Sequence, residues 1–325
     1  MRIELFTSGA KLPPLIEGDP THSSQMFHSI EQTTDASPLM LVAYDGDKET
    51  AHLLVVKNRS LRLLPPGLYV WYSIYGEGVY SSRCNDKEAL FAMMLEKLFT
   101  IFDYHHTFIE VRNLKDSRFA YNILSEKFFF PLRDNRIYIS LHSRDPWQRL
   151  TRTYRSHIRK ALERGVTFGS ATTEEEKEKA LRIMHKYYMS KLRNRLPSID
   201  FLRTMLTPQE NNIEKARLFV VRHKGDIIGC SICIYEKERA YLAYSCGLRK
   251  SHPLLYPGIM SVWAAITDAH SRGIPHFEFL EPKGANIPSG YLNFILNFGG
   301  KQVGTLHWYH FKWNCINKIM RAIYV

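Results

Sequence analysis

The chain contains no run of eighteen consecutive apolar residues, the length a helix needs to cross a bilayer. Its start, MRIELFTSGAKLPP, has no apolar h-region, so a secretory signal is not expected. Cysteine is scarce, with five residues at 84, 230, 233, 246 and 315. A scattered, odd-numbered set does not read as a disulfide framework and fits a reducing cytoplasm. Cys230 and Cys233 form a CxxC, but inside a strand pattern, where residues three apart point to opposite faces. His105, His106, His157, His307 and His310 show none of the spacings that hold zinc. No Gly-x-Ser-x-Gly elbow is present either. Membrane-spanning, disulfide-stapled, zinc-dependent and serine-nucleophile classes are therefore set aside.

What is there is the composition of a globular protein, 45% apolar and 23% charged, in 325 residues. That length supports two domains, each able to bury its own core. The net charge of +12 is unevenly placed. Residues 1–150 hold 17 basic and 18 acidic residues, and residues 151–325 hold 27 and 14. An excess confined to the second half points to an anionic partner: a phosphate-bearing cofactor, a nucleotide-linked substrate, RNA or an acidic membrane surface.

The two halves also repeat one another. Residues 38–58 and 218–235 each read as strand, charged turn containing Gly-Asp (Gly46-Asp47, Gly225-Asp226) and strand, a hairpin signature. A Tyr- and Gly-containing strand, a long amphipathic stretch, a short strand and a helix-like patch follow in both copies (Asn122-Ile123-Leu124, Phe294-Ile295-Leu296). Helices are expected over 22–34, 86–102, 116–125, 146–164, from Thr173 to about 193, over 257–272 and 290–297, with Pro65-Pro66-Gly67 as a turn. In the stretch 146–164, Trp147, Leu150, Tyr154, Ile158 and Ala161 share one face, and Arg152, Arg155, Arg159, Lys160 and Arg164 lie opposite. Mixed α/β is the expected class, as two similar domains, 1–145 and 146–325, with ligands bound where they meet.

YRSHIRKALERGV (154–166), the strand-turn-strand that follows, the helix ending at Gly273 and GYLNFILNFGG (290–300) together resemble the FemAB-like branch of the GNAT acyltransferases, built from two tandem GNAT domains. The resemblance implies transfer of an acyl or aminoacyl group, from an acyl-CoA or an aminoacyl-tRNA, to an amine such as a small molecule or a cell-wall precursor. Three departures stand out. Ile295 occupies the place of a Lys common in the family; Glu278-Phe279-Leu280-Glu281 replaces an Asp-Phe-Gly-Gly-like strand end; and the long coiled-coil arm of some tRNA-dependent members is absent. The CoA-binding signature R/Q-x-x-G-x-G/A is missing as well.

Acyl transfer to an amine needs a deprotonated nucleophile, donors for a tetrahedral oxyanion and a proton for the leaving group. Strand 241–248, with Tyr244, is expected to supply backbone donors. The loop that follows runs into a helix N-terminus, a natural phosphate site, and places Arg249, Lys250, Tyr256 and Gly258 there. Glu278 and Glu281 are candidate bases and Tyr291 a candidate acid; the plain alternatives are paired strand-end charges and a packed aromatic. Arg155, Arg159 and Lys160 form a phosphate-gripping face or a solvated one. Tyr72, Tyr75 and Arg112 are candidate acceptor contacts, or core. A second reading keeps the fold as a non-catalytic binder of RNA or an anionic cell-envelope precursor.

Overall fold

The computed structural model describes residues 1–33, 36–59, 70–102, 106–189, 198–207, 215–280 and 289–324. Glu281, His105 and the expected turn at 65–67 fall outside them. The chain forms two compact units: residues 1–135 with 304–325, and residues 136–303. They do not follow a division at 145/146, because the last strand and helix of the chain fold with the first unit.

The first unit contains β1 (Arg2–Phe6), α1 (Ser24–Glu31), β2 (Ala36–Asp45), β3 (Lys48–Asn58), β4 (Val70–Tyr75), β5 (Val79–Tyr80), α2 (Lys87–Ile101), β6 (His106–Arg112), α3 (Tyr121–Glu126) and the start of β7 (Phe130–Ser140). The second begins with the end of β7. It continues through α4 (Pro146–Arg149), α5 (Arg152–Glu163), β8 (Thr167–Ser170), α6 (Glu174–Met189), α7 (Ile199–Leu206), β9 (Ala216–His223), β10 (Asp226–Tyr235), β11 (Arg239–Gly247), α8 (Pro257–Ser271), β12 (His276–Phe279) and α9 (Ser289–Leu296). Strand β13 (Lys301–Phe311) leads back to the first unit, which α10 (Asn314–Tyr324) completes.

Each unit repeats one plan. A hairpin (β2–β3, β9–β10) is followed by an antiparallel strand (β4, β11), a helix (α2, α8) and a strand parallel to the third (β6, β12). The mixed α/β class and the duplicated plan are thus both present. Both hairpins close with two-residue loops: Gly46-Asp47 between Asp45 and Lys48, and Lys224-Gly225 between His223 and Asp226. Gly46, Lys224 and Gly225 have positive φ, the twist a tight hairpin demands.

The expected helix over 146–164 is in fact two. Leu150 is extended, and the Thr151 side chain accepts from the Tyr154 N–H, restarting the helix as α5. Buried Tyr154, Ile158 and Ala161 then pack α5 on the core of the second unit, beside Ile259, Val262 and Phe298. In the first unit Leu41, Leu53, Tyr72, Phe91, Leu95 and Trp308 share one core. On the other side of the β2–β3 hairpin, His22 is fully buried. The Leu54 N–H donates to its Nδ1 at 3.0 Å. Burial, reinforced by His52 and opposed by Asp19, lowers its pKa to about 4.

Candidate active site

Strand β11, the loop 248–256 and the start of α8 build the site, all within the second unit. In the β10–β11 ladder Ile232 faces Tyr244 while Cys233 faces Leu242, so Ala243 is one residue too many, a β-bulge. The bulge lies just past the residues that pair with β12, Arg239–Leu242, and β11 runs on to Gly247. The Leu248 N–H donates to Ile228 O at 2.8 Å. By the alternation of an antiparallel ladder, Ser245 turns its own N–H and C=O away from β10. Both meet one hydroxyl from α6: the Ser245 N–H donates to the Tyr188 hydroxyl oxygen (3.2 Å), and that hydroxyl donates to Ser245 O (3.1 Å). Burial pushes the Tyr188 phenol above its ordinary pKa, keeping it a donor. Tyr244 stands edge-on to Tyr188, ring centroids 6.2 Å apart.

Gly229 and Gly247 face each other across the same two strands. A Cβ on Gly247 would lie 2.6 Å from Gly258 Cα, and one on Gly229 would lie 2.9 Å from Pro257 O. The paired glycines therefore let the first turn of α8 rest on bare strand backbone. Tyr256 enters that turn with φ 49 and offers no side-chain cap. The helix end thus keeps its positive partial charge. In the first unit the equivalent helix differs: Asp86 accepts the Ala89 N–H at 2.9 Å, and Glu88 sits in the first turn of α2. Only the second copy leaves its helix N-terminus without a carboxylate.

Basic side chains surround this end. Arg249 and Lys250 are exposed in the loop. Arg249 lies close enough to Tyr154 to draw its pKa down, against burial that pushes it up to about 12. Helix α5 is fastened to the loop twice: Arg164 Nη1 donates to Leu254 O (2.5 Å), and His157 stacks on Tyr256 at 4.1 Å and 11°. Burial, then Lys160, holds the His157 imidazole below its usual pKa, so it is neutral at pH 7. The half-buried Arg155 guanidinium has no hydrogen bond or ion pair among the described residues. Arg159 lies 6.0 Å over the Trp147 ring, and Lys160 is exposed.

The structure thus gathers Tyr244, Arg249, Lys250, Tyr256, Gly258 and the basic face of α5 in one region of the second unit. The candidate acid–base residues are placed differently. Glu278 is buried in β12, paired with Arg239 and lying 3.8 Å from Arg136. Burial acts to lower the Arg239 pKa, and Glu278 outweighs it, leaving it raised. A carboxylate between two guanidinium groups is a stable anion with little drive to take up a proton. Tyr291 packs on the core and stacks with Phe294 at 6.0 Å. Tyr72 is core, stacked on His106 at 4.5 Å. Arg112 is buried 3.3 Å from Asp134, and the neighbouring Tyr75 is exposed.

Sequence reasoning missed the Gly229–Gly247 pair, although a glycine inside a strand pattern signals close backbone approach. It also missed a polar chain in the first unit. Asn58 Nδ2 donates to Ser73 Oγ (2.9 Å), Ser73 donates to Glu110, Glu110 lies 3.1 Å from His307 Nε2, and His307 Nδ1 lies 3.1 Å from the Tyr309 hydroxyl. Four separate strands supply those residues, so no local spacing reveals them. The CxxC partners do not meet; Cys230 Sγ lies 3.2 Å from Cys246 Sγ on the next strand. No cluster that could hold a metal ion occurs among the described residues.

A bulged strand with a parallel neighbour, leading through a basic loop into an uncapped helix, is the arrangement of a GNAT-type transferase. Residues 148–286 match the acetyltransferase (GNAT) domain, so the second unit is built around a GNAT domain. Solved structures extend the likeness to the whole chain. FemX superposes with a TM-score of 0.65 at 12% identity, covering 94% of this chain and 95% of its own. The lysylphosphatidylglycerol synthase L-PGS from Bacillus licheniformis gives 0.57 at 12%, covering 94% and 98%. A tandem GNAT protein from the clavulanic acid biosynthesis pathway gives 0.51 at 11%, covering 95% and 98%. At such identities the shared property is the fold. No curated protein matches the chain. The resemblance to the FemAB-like branch of tandem GNAT proteins holds.

Proposed function

We propose that this protein is an N-acyltransferase that takes its acyl group from a CoA thioester and delivers it to an amine. The observation that supports this most is the glycine pair at 229 and 247, which seats an uncapped helix N-terminus on β11 beside Arg249 and Lys250. That end would hold the donor's phosphates, with Gly258 leaving room for close approach. The bulge at Ala243 would present backbone N–H groups to the acyl oxygen as negative charge develops there. The amine nitrogen forms the new C–N bond as the C–S bond breaks, and the proton shed by the amine ends on the leaving sulfur. Arg155, Arg159 and Lys160 would bind the remaining phosphate charge. An aminoacyl-tRNA donor and a cell-wall precursor acceptor are the narrower forms of this reading.

The ion-paired state of Glu278 favours a second reading, a protein that binds RNA or an anionic envelope precursor without turnover. Thermal-shift titration separates the two, because a ligand of the folded state raises the melting temperature by mass action. Stabilisation by CoA thioesters, with thiol release when amines are added, supports the transferase. Stabilisation by RNA or nucleotide-sugars alone supports the binder.

A further inference from the structure

Helix α10 carries an apolar face that nothing in its own unit covers. Ile319 and Ile323 are 60% and 65% exposed, and Cys315 and Ala322 are exposed on the same stripe at helical spacing. Buried Asn317 fastens the opposite side: its Oδ1 accepts the Phe311 N–H (2.7 Å), and its Nδ2 donates to Phe311 O (2.7 Å). The stripe therefore faces outward because the helix is pinned, not because it is loose. Large aromatic residues stand at the two ends, Trp313 50% and Tyr324 52% exposed. Lys318 and Arg321 border the stripe, and Lys312 precedes it. Residues 311–325 hold no Asp or Glu. Phe128, also exposed, lies under the Arg321 guanidinium at 5.4 Å and widens the apolar area beside the helix.

We propose that α10 docks this protein on the surface of an anionic lipid bilayer. An apolar stripe edged by cations, without a carboxylate, suits the boundary between acyl chains and anionic headgroups. Trp and Tyr at the ends suit the same depth, since each joins an apolar ring to a polar group. At 11 residues the helix lies in the surface and is too short to span it. A protein partner is a poorer fit, because the charge here is of one sign while the stripe it borders is aliphatic.

The test is co-sedimentation with vesicles of two parts phosphatidylcholine to one part phosphatidylglycerol, against phosphatidylcholine alone, alongside light scattering of the free protein. Wild type should sediment with the anionic vesicles, and raising the salt should release it. Ile319→Ser with Ile323→Ser should lower the partition coefficient about a hundredfold, from the transfer value of two largely exposed isoleucines. Lys318→Gln should lower it about fivefold. Equal sedimentation with both vesicles, or none, overturns the proposal. So does a dimer that the isoleucine substitutions convert to monomer without any vesicle binding, which would make the face a contact between copies. The melting temperature of the double variant should equal that of wild type; a fall would show that the stripe is structural and would also refute docking.

Discussion

Replacing Gly247 with Ala tests how the site is built. The added methyl would sit 2.6 Å from Gly258 Cα and 2.8 Å from the Pro257 carbonyl carbon, where ordinary contact starts near 3.4 Å. Strand β11 and the first turn of α8 must then part by about 0.8 Å. Both obstacles are backbone, so no side chain can swing aside. Overpacking of this kind costs about 1–3 kcal/mol, which for a domain of this size lowers the melting temperature by roughly 5 °C. Misplacing a site by nearly an ångström also costs about a hundredfold in transfer, so activity should fall much further than stability. Gly258→Ala is the matched control. Its Cβ meets nothing within 4 Å, and an alanine in a helical turn is at least as stable as glycine. That variant should melt no lower than wild type yet bind CoA thioesters more weakly, because the methyl stands where phosphate would approach. Scanning calorimetry with CoA-ester titration measures both. If Gly247→Ala kept full stability and affinity, the close seat of α8 on β11 would be wrong as a basis for donor binding.

Other outcomes follow from the same geometry. Arg155→Ala with Arg159→Ala should weaken CoA binding about tenfold or more, as expected for lost charged contacts, and the deficit should shrink as salt rises; unchanged affinity at low salt would remove this face from the site. Glu278→Gln should destabilise the protein by about 3 kcal/mol in urea unfolding, since it leaves two half-buried guanidinium groups without their anion. A variant of full stability with turnover abolished would instead make Glu278 the base. His22 has a folded pKa near 4 against an ordinary 6.5. The unfolded chain therefore takes up a proton first as pH falls, and stability present above about pH 6.5 should drain away toward pH 4, by about 3 kcal/mol in total. Unfolding curves of His22→Asn should lack that part of the slope, and parallel curves for the two proteins would contradict it.

Much of the architecture could be read from residues. The Gly-Asp turns located both hairpins, and Pro257 and Gly273 bracketed α8 as written. Thr151 was legible as a cap and was overlooked, because the apolar spacing of Trp147 and Leu150 fits a continuous helix. The site was harder. A bulge is a mismatch between two strands and leaves no residue of its own to notice, so Ala243 looked ordinary. Glu278 looked reactive because sequence shows the carboxylate but not Arg239 and Arg136, which come from 39 residues before it and from the start of the second unit. Tyr188 belongs to a different helix from the backbone it serves, so only folded coordinates reveal the pairing.

The return of the polypeptide to its first unit restricts how the molecule can be cut. Trp308, wholly enclosed by Phe91, Leu95 and their neighbours, is contributed by the far end of the chain. A fragment stopping at residue 145 would carry a hole the size of an indole ring, together with β6 lacking its β13 neighbour. No single break point yields a self-sufficient amino-terminal piece. Any attempt to isolate that part would need residues 304–325 spliced back on.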